Sequence, residues 1–205
     1  MKISVSYLSS KFDKKTTIKK IEESKADFIH ADLMDGKYVE NKNFTITEVI
    51  DDLKNVTIPI DMHLMVKNPD KYIEKFSMLN LEYVTFHPST SKNIKKTIEL
   101  IKSIGVNVGL AINPDEDISL INDYLNDIDL VLIMSVIPGK GGQKFIDSVI
   151  KKIDDFNNKN IILSIDGGIN DESIELIKDK KIDIIVSGSF ICNSDNFDEQ
   201  IKKIS

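Results

Sequence analysis

The sequence of 205 residues predicts a single-domain α/β protein, a closed (β/α)₈ or TIM barrel that covers residues 1–205. Three observations support this fold class. Short apolar runs recur roughly every 25 residues, helical patterns separate them, and many of the runs are apolar at nearly every position. Parallel strands that are covered on both faces have this continuous apolar character.

The predicted strands follow one another along the whole chain. They lie near residues 3–8, 27–32, 57–64, 81–86, 106–112, 129–136, 160–165 and 182–187. No linker rich in proline, glycine or serine interrupts this series, and the composition does not change along it. The chain is therefore expected to form one domain.

A helix is predicted between the fourth and fifth strands. Ile94, Ile98, Ile101 and Ile104 recur at helical spacing, and Gly105 marks the end of that helix.

Three further helices are predicted nearer the C-terminal end. One has an apolar face formed by Phe145, Ile146, Val149, Ile150, Ile153 and Phe156. Asn170 is a suitable N-cap for a second, which carries Ile174 and Ile177. The last helix has the apolar residues Phe197, Ile201 and Ile204.

An open, doubly wound sheet is the alternative architecture. Its dinucleotide-binding form has a Gly-x-Gly-x-x-Gly turn after the first strand, whereas residues 5–10 of this chain read VSYLSS. The barrel is therefore favoured.

Composition excludes several classes of partner. The net charge of −6 argues against binding to nucleic acid or a membrane surface, because phosphate backbones attract basic proteins. Cys192 is the only cysteine, as suits a reducing compartment, and no signal peptide or spanning apolar run is visible. We therefore expect a cytoplasmic protein. All 27 basic residues are lysine, so phosphate would have to be held by backbone N–H groups or lysine.

Side chains that can bind a cation end three of the predicted strands. His30 and Asp32 end the second strand, His63 ends the third, and Asp166 ends the seventh. In a barrel these strand ends meet at one rim. Two imidazoles and two carboxylates suit one divalent cation, which the donor set leaves open as zinc, iron(II), manganese or cobalt. The alternative is that each histidine is a hydrogen-bonded rim or core residue.

Other residues near these strand ends allow two interpretations each. His87 either faces the substrate or supports the site, or it is structural. Asp61 either orients a ligand or bonds to the backbone. Met34, Met65 and Met134 are expected to form an apolar lining over the site rather than ordinary core.

Three glycine-containing loops follow the last three strands, the first of them directly before a predicted helix. They contain Gly139, Lys140, Gly141 and Gly142, then Gly167 and Gly168, then Gly188 and Ser189. Glycine lets backbone amides approach an anion closely, and barrels often hold phosphate after strands seven and eight. We expect a phosphate site here; the alternative is that the glycines only shape the turns and that Lys140 is merely exposed.

Together these motifs resemble the ribulose-phosphate 3-epimerase family over essentially the whole chain. The matching segments are residues 6–9, 30–36, 61–66, 130–136, 138–143, 166–168 and 188–189. The resemblance implies a barrel of the ribulose-phosphate-binding type. It also implies a metal-dependent isomerase of the pentose phosphate pathway that interconverts D-ribulose 5-phosphate and D-xylulose 5-phosphate.

The resemblance also assigns roles to residues. It implies that His30, Asp32, His63 and Asp166 bind the metal and that Asp32 and Asp166 are the acid–base pair. Ser6, His63 and Asp166 would contact the substrate, and the three glycine loops would bind its phosphate.

The chain differs from the family pattern at four positions. Val5 stands where proline is usual, Lys11 where aspartate is common and Lys140 where an aromatic residue is usual. Pro88 follows His87 where an acidic residue is frequent. These differences remove neither a metal ligand nor a base.

Two opposed carboxylates suit inversion of the C3 centre of a ketose phosphate, since one can remove a proton while the other returns one to the opposite face. A 3-epimerase of another ketose phosphate, such as D-allulose 6-phosphate, is the nearest alternative. Related decarboxylases use an Asp-x-Lys-x-x-Asp pattern, and Met34 stands at its lysine position. A non-catalytic sugar-phosphate binder would not need two bases. The sequence leaves the oligomeric state open, a homo-oligomer included.

Overall fold

The computed structural model describes residues 1–156 and 160–205. Its strands are β1 (Lys2–Ser6), β2 (Phe28–Met34), β3 (Ile60–Met65), β4 (Leu81–Phe86), β5 (Asn107–Ile112), β6 (Leu130–Met134), β7 (Ile162–Asp166) and β8 (Ile184–Ser187). Within the described residues these eight parallel strands pair in chain order, and β8 closes onto β1. The predicted barrel is therefore confirmed.

Helical segments connect the strands on the outside of the barrel. The α-helices are α1 (Lys14–Glu22), α2 (Ile46–Leu53), α3 (Asp70–Ile73), α4 (Ile94–Ser103), α5 (Ile150–Asp154), α6 (Ser189–Cys192) and α7 (Phe197–Ile204). Segments of 3₁₀-helix lie at Glu74–Phe76, Pro88–Thr90, Ile118–Tyr124, Asp147–Val149 and Ser173–Leu176. In the parts of the chain that the structure describes, no helix has the length and apolar character needed to cross a membrane.

Side-chain caps determine where the longer helices begin. Asp13 caps α1, Asn93 caps α4 and Asn196 caps α7, each by accepting a hydrogen bond from a backbone N–H of the first turn. Helix α2 begins with a capping box, in which Thr45 and Glu48 each accept from the other's backbone N–H. The predicted helix over residues 94–104 is confirmed as α4, and Gly105 follows it with φ +77°.

The strands separate two apolar cores. Their outward-facing residues pack against the helices. The buried helix residues include Ile101 of α4 and Ile201 and Ile204 of α7. A smaller cluster fills the inside of the barrel and consists of Phe28, Tyr83, Ala111, Leu130, Leu132, Met134, Val136, Ile184 and Val186. Because the helices cover the outer face of the barrel, the outward-facing residues of the strands are apolar at nearly every position.

The barrel interior is polar on one side. The inward-facing residues of β5, β6 and β8 belong to the inner apolar cluster, whereas β1 to β4 and β7 carry buried polar side chains. These buried polar residues are Ser4, Ser6, His30, Asp61, His63, Thr85 and Ser164. Ser6, His30 and His63 therefore lie inside the barrel, whereas the predicted glycine-loop residues lie beyond the strand ends.

Two predicted helices differ from the structure. Phe145 and Ile146 lie in an extended segment, and helical structure begins only at Asp147. The backbone N–H of Ile146 donates to the carbonyl oxygen of Ser135 at 2.9 Å, and the side-chain amide of Gln143 donates to two loop carbonyls. These bonds hold the loop against the end of β6, so the glycine loop does not lead directly into a helix.

The helix predicted after Asn170 is a single 3₁₀ turn. Its N-cap is Glu172, which makes no side-chain cap bond, so Asn170 is not the N-cap. Asn170 lies two residues earlier, where its side-chain oxygen accepts from the backbone N–H groups of Glu172 and Ser173 at 2.9 Å each. The turn ends at Leu176, and Ile177 lies beyond it. The Ser173 hydroxyl donates to the carbonyl oxygen of Gly168 at 2.9 Å, which ties the turn to the glycine loop.

Strands β2 and β3 end later than predicted. They continue to Met34 and Met65, which pair with each other, so His30, Asp32 and His63 lie within the strands. Their side chains still point inward because they alternate with buried outward-facing residues.

Close packing at Gly109 of β5 generates a stability prediction. A Cβ at this position would overlap the Oγ1 of Thr85 and lie 3.0 Å from Cδ2 of Leu130. We expect Gly109→Ala to lower the free energy of unfolding by about 1–3 kcal/mol, as other overpacked core substitutions do. Chemical denaturation measures the change.

A second substitution serves as the control. The Thr85 hydroxyl is buried without a hydrogen-bond partner among the described residues, so Thr85→Ala alone should cost little. In the Gly109→Ala background it removes the closest overlap and should restore most of the lost stability. A Gly109→Ala variant as stable as the parent would contradict this packing.

Candidate active site

Inward-facing side chains from three strands converge in the barrel. They are His30 and Asp32 of β2, His63 of β3 and Asp166 of β7, and one donor atom from each lies within 4.8 Å of the others. The side chains of Asp32 and Asp166 are 14% and 15% exposed, whereas both imidazoles are completely buried. The two carboxylates therefore face the open side of the cluster, and the histidines lie beneath them.

Strand register brings these groups together. The pairing of β2 with β3 places Asp32 directly beside His63. Oδ1 of Asp32 lies 3.1 Å from Nε2 of His30 and 3.0 Å from Nδ1 of His63, and its Oδ2 accepts a hydrogen bond from the Ser6 hydroxyl at 3.0 Å. Nδ1 of His63 is 3.9 Å from Oδ2 of Asp166. The sequence-predicted cluster is thus assembled as a unit.

Asp61 lies behind His30. Its Oδ2 is 2.8 Å from Nδ1 of His30 and accepts a hydrogen bond from the Ser4 hydroxyl at 2.9 Å. Of the two interpretations of Asp61, the structure supports the one in which it orients a ligand. Because Nδ1 of His30 faces Asp61, Nε2 of the same ring faces the cluster.

His87 lies behind His63. Its Nε2 is 2.9 Å from Nε2 of His63, and its ring packs between His63 and Tyr38, with centroid distances of 5.1 and 4.8 Å. The ring is completely buried and does not line the cavity above the cluster. Of the interpretations of His87, support of the site is therefore favoured over contact with the substrate.

The pKa values of the two carboxyl groups are shifted in opposite directions. Burial acts to raise the pKa of Asp32, but the neighbouring His30 and His63 outweigh it and hold that pKa far below its usual range. Burial, and then the charge of Asp32, raises the pKa of Asp166 to about 7. One carboxylate of the pair is thus held ionised while the other takes up a proton near neutral pH, which suits acid–base chemistry.

The histidines also differ in acidity. Burial acts to lower the pKa of His30, but the carboxylates of Asp32 and Asp61 on its two sides raise it well above its ordinary value. Burial, and then the neighbouring His63, lowers the pKa of His87 well below its ordinary value, so His87 is a neutral ring.

The donor set fits a divalent cation. Ligand atoms about 2 Å from a common zinc-like ion lie roughly 3–4 Å from one another. The donor atoms here are separated by 3.0 Å (Asp32 to His63), 3.1 Å (His30 to Asp32) and 3.9 Å (His63 to Asp166). Two imidazole nitrogens and two carboxylate oxygens without a thiolate are suitable ligands for zinc, iron(II), manganese or cobalt.

A cavity of about 500 Å³ opens above the cluster. Almost all of the predicted substrate-binding residues line it, namely Ser6, Gly139, Lys140, Gly141, Gly142, Asp166, Gly167, Gly168, Gly188 and Ser189. His63 does not line it, because its ring is completely buried under the carboxylates. The volume is typical of a site for a small ligand.

The glycine loops need glycine at their closest approach. Gly167 and Gly168 have φ +121° and +66°, and a Cβ on Gly168 would lie 2.5 Å from the backbone nitrogen of Phe145. A side chain at either position would be strained, so the backbone itself forms this wall of the cavity. In a chain without arginine, backbone amides and the lysines that line the cavity are the groups that could bind an anion.

Two asparagines of the site were not identified from sequence. The Asn43 side chain donates to the carbonyl oxygen of Asp32 at 2.8 Å and accepts from the N–H of Met34 at 2.9 Å. The Asn41 side chain donates to the carbonyl oxygen of Gly139 at 2.5 Å, which joins the loops after β2 and β6. Asparagines in loops are ordinarily exposed, so nothing in the sequence indicated that these two belong to the site.

The prediction for the three methionines is confirmed in part. Met34, Met65 and Met134 line the cavity next to the carboxylates. Met65 and Met134 are nevertheless buried core residues, and Met134 belongs to the inner apolar cluster, so only the half-buried Met34 is a lining residue outside the core.

Comparison of the sequence with known proteins identifies its relatives. A model described as the ribulose-phosphate 3 epimerase family matches residues 2–192. A ribulose-phosphate 3-epimerase of Buchnera aphidicola subsp. Baizongia pistaciae is 44% identical over 88% of this chain and 83% of its own length. The protein of that name from Helicobacter pylori is 40% identical over 95% and 92%, and that from Bacillus subtilis 36% identical over 100% and 98%.

Solved structures with the same fold are more distant in sequence. N-(5'-phosphoribosyl)anthranilate isomerase from Pyrococcus furiosus has a TM-score of 0.68 at 16% identity, covering 100% of this chain and 96% of its own. 3-Hexulose-6-phosphate synthase from Salmonella typhimurium has a TM-score of 0.67, also at 16% identity, with the same coverage of 100% and 96%. At this identity the two structures support the barrel fold alone.

The acidity of Asp166 generates a prediction for metal-free protein. Its folded pKa of about 7 lies above the value of about 4 for an unfolded carboxyl group. As pH rises through this window the unfolded chain has already released the proton, so this group makes folding progressively less favourable. Asp166→Asn removes that effect, and we expect the variant to gain stability relative to the parent between about pH 4 and 7.

Chemical denaturation at several pH values, with a chelator present, measures the difference. Asp171→Asn is the matched control, because Asp171 is an exposed carboxylate on the loop that follows the same strand. Its stability difference from the parent should not change over this range. A flat profile for Asp166→Asn as well would show that Asp166 ionises normally.

Proposed function

Because the chain belongs to the ribulose-phosphate 3-epimerase family, we propose that it interconverts D-ribulose 5-phosphate and D-xylulose 5-phosphate by proton transfer at C3. The observation that carries this proposal is the pair of carboxylates, Asp32 of β2 and Asp166 of β7, that face the same cavity from different strands. The metabolic role that follows is in the pentose phosphate pathway.

The two carboxylates act as the acid and the base. One removes the C3 proton, and the other delivers a proton to the opposite face of the carbon; in the reverse reaction they exchange roles. Strands β2 and β7 are separated by β8 and β1 around the barrel, which allows the carboxylates to approach a sugar from different sides. Ser6 fixes the orientation of Asp32 through its hydrogen bond to Oδ2.

His30, Asp32, His63 and Asp166 would hold one divalent cation. When bound, that cation supplies Lewis-acid stabilisation of the negative charge that develops on the sugar oxygens as the proton leaves. The methionines beside the carboxylates limit access of water to the reacting carbon.

The glycine loops after β6, β7 and β8 would bind the phosphate of the substrate. They line the same cavity as the carboxylates, and their backbone amides provide hydrogen-bond donors for an anion. Lys140 is exposed at the edge of this cavity, where its positive charge would attract the phosphate without direct contact.

Substitution of either carboxylate tests the two-base assignment. We expect Asp32→Asn and Asp166→Asn each to lower kcat for ribulose 5-phosphate by at least about 10³-fold, because general acid–base catalysis contributes factors of roughly this size. Conversion to xylulose 5-phosphate and exchange of the C3 proton with deuterated water are measured together.

Asp171→Asn again provides the matched control and should retain parental activity. Circular dichroism checks that the folds are unchanged. Near-parental turnover of either test variant would refute the assignment. Parallel assays with allulose 6-phosphate decide between the two ketose phosphates, since the preferred one has the higher kcat/KM.

Removal of the cation tests the metal site. We expect dialysis against a chelator to abolish activity, and addition of zinc, iron(II), manganese or cobalt to restore it, because the developing charge then regains its stabilisation. Elemental analysis of the protein as purified identifies the metal. Full activity in protein shown to be free of metal would contradict the proposal.

A further inference from the structure

His63 and His87 share a hydrogen bond that neither family membership nor the two-base mechanism explains. Their Nε2 atoms are 2.9 Å apart, and both rings are completely buried. A bond between two ring nitrogens contains one proton, so one ring donates and the other accepts. The direction of this bond determines which nitrogen of His63 has a free lone pair.

The surroundings of His63 determine that direction once a cation is bound. Its Nδ1 is the nitrogen that faces the carboxylates, 3.0 Å from Asp32 and 3.9 Å from Asp166. A nitrogen that binds a cation uses its lone pair and carries no proton. The ring proton of His63 must then be on Nε2, which donates to His87.

We propose that His87 is a positioning residue, which accepts this hydrogen bond and thereby holds the lone pair of His63 Nδ1 toward the cation. The proposal rests on the metal site described under the proposed function. His87 does not touch the substrate, because its ring lies behind His63. It acts on His63 as Asp61 acts on His30.

His87 is held firmly in this position. Its ring stacks on Tyr38 with a centroid distance of 4.8 Å, and the Tyr38 hydroxyl accepts a hydrogen bond from the Asn113 side chain at 2.9 Å. The carbonyl oxygen of His87 accepts from the N–H and the hydroxyl of Thr90 at 3.0 and 2.7 Å. Ring stacking and these backbone bonds therefore hold His87 beside His63, while Nδ1 of His87 is buried without a hydrogen-bond partner among the described residues.

An imidazole differs from the carboxylate of Asp61 because it can accept or donate. Without a cation, the Nδ1 proton of His63 can bond to Asp32, and His63 Nε2 can accept from His87. When a cation binds Nδ1, the proton of His63 is on Nε2 and that of His87 is on Nδ1. Each ring keeps one proton, so both tautomers change while the charge of the pair does not.

Nitrogen NMR of protein labelled in its histidine rings tests the tautomers directly. The chain has only three histidines, and all three are in this cluster, so the spectrum contains few signals. In zinc-loaded protein we expect the proton of His63 on Nε2 and that of His87 on Nδ1. A proton on His87 Nε2 in the loaded protein would overturn the proposal.

Two substitutions at His87 test the effect on zinc affinity by competition with a chelator. His87→Gln places an amide oxygen near the position of Nε2 and should retain affinity within a few-fold. His87→Leu removes the acceptor, and zinc should bind about 10–100-fold more weakly, as for other lost partners of metal-bound histidines. Parental affinity in the Leu variant, or equal losses in both variants, would overturn the proposal.

The outcomes also separate this proposal from the one on which it rests. A parent protein that binds none of zinc, iron(II), manganese and cobalt refutes the metal site itself. A parent that binds zinc while the Leu variant binds it equally well refutes only the role of His87. Because the NMR measurement uses the parent protein, the proposal stays testable even if the Leu variant does not fold.

Discussion

The site depends on one partly buried carboxylate that joins three strands. Asp32 of β2 bonds to His30 on its own strand, to His63 on β3 and to Ser6 on β1. A charge removed from water is costly unless polar partners surround it, and here strand pairing supplies those partners. A shift of register by one residue would turn these side chains out of the barrel. The same hydrogen-bonded ladder therefore maintains the fold and positions the chemistry.

The barrel interior has an apolar part and a polar part, and the polar part supplies the partners that the Asp32 carboxylate needs. Strands β5, β6 and β8 contribute apolar side chains, which pack without needing partners, and Phe28 of β2 and Tyr83 of β4 join them. The buried polar side chains come from β1 to β4 and β7. The glycine loops follow β6, β7 and β8, so the backbone amides are on the opposite side of the cavity from β2 and β3. A phosphorylated ligand would thus lie between its anion-binding loops and the cluster of ionisable groups.

Periodicity predicted the barrel and most of its strands, because burial on both faces leaves a continuous apolar run. It also predicted that His30, Asp32, His63 and Asp166 would meet, since the strand ends of a barrel share one rim. It did not predict the extended chain at Phe145 and Ile146, where hydrogen bonds to the end of β6 override a helical pattern. Nor could it predict the direction of the His87 ring or the bonds of Asn41 and Asn43, which depend on loop geometry.

The absence of arginine has a consequence for selectivity. Flexible cationic side chains can follow an anion to different depths, whereas the backbone amides around Gly167 and Gly168 are fixed by the strands they adjoin. In the proposed reaction, the barrel backbone then sets the distance between the phosphate-binding loops and the two carboxylates. The barrel scaffold itself would then select the number of carbon atoms that separate the phosphate from the inverted centre.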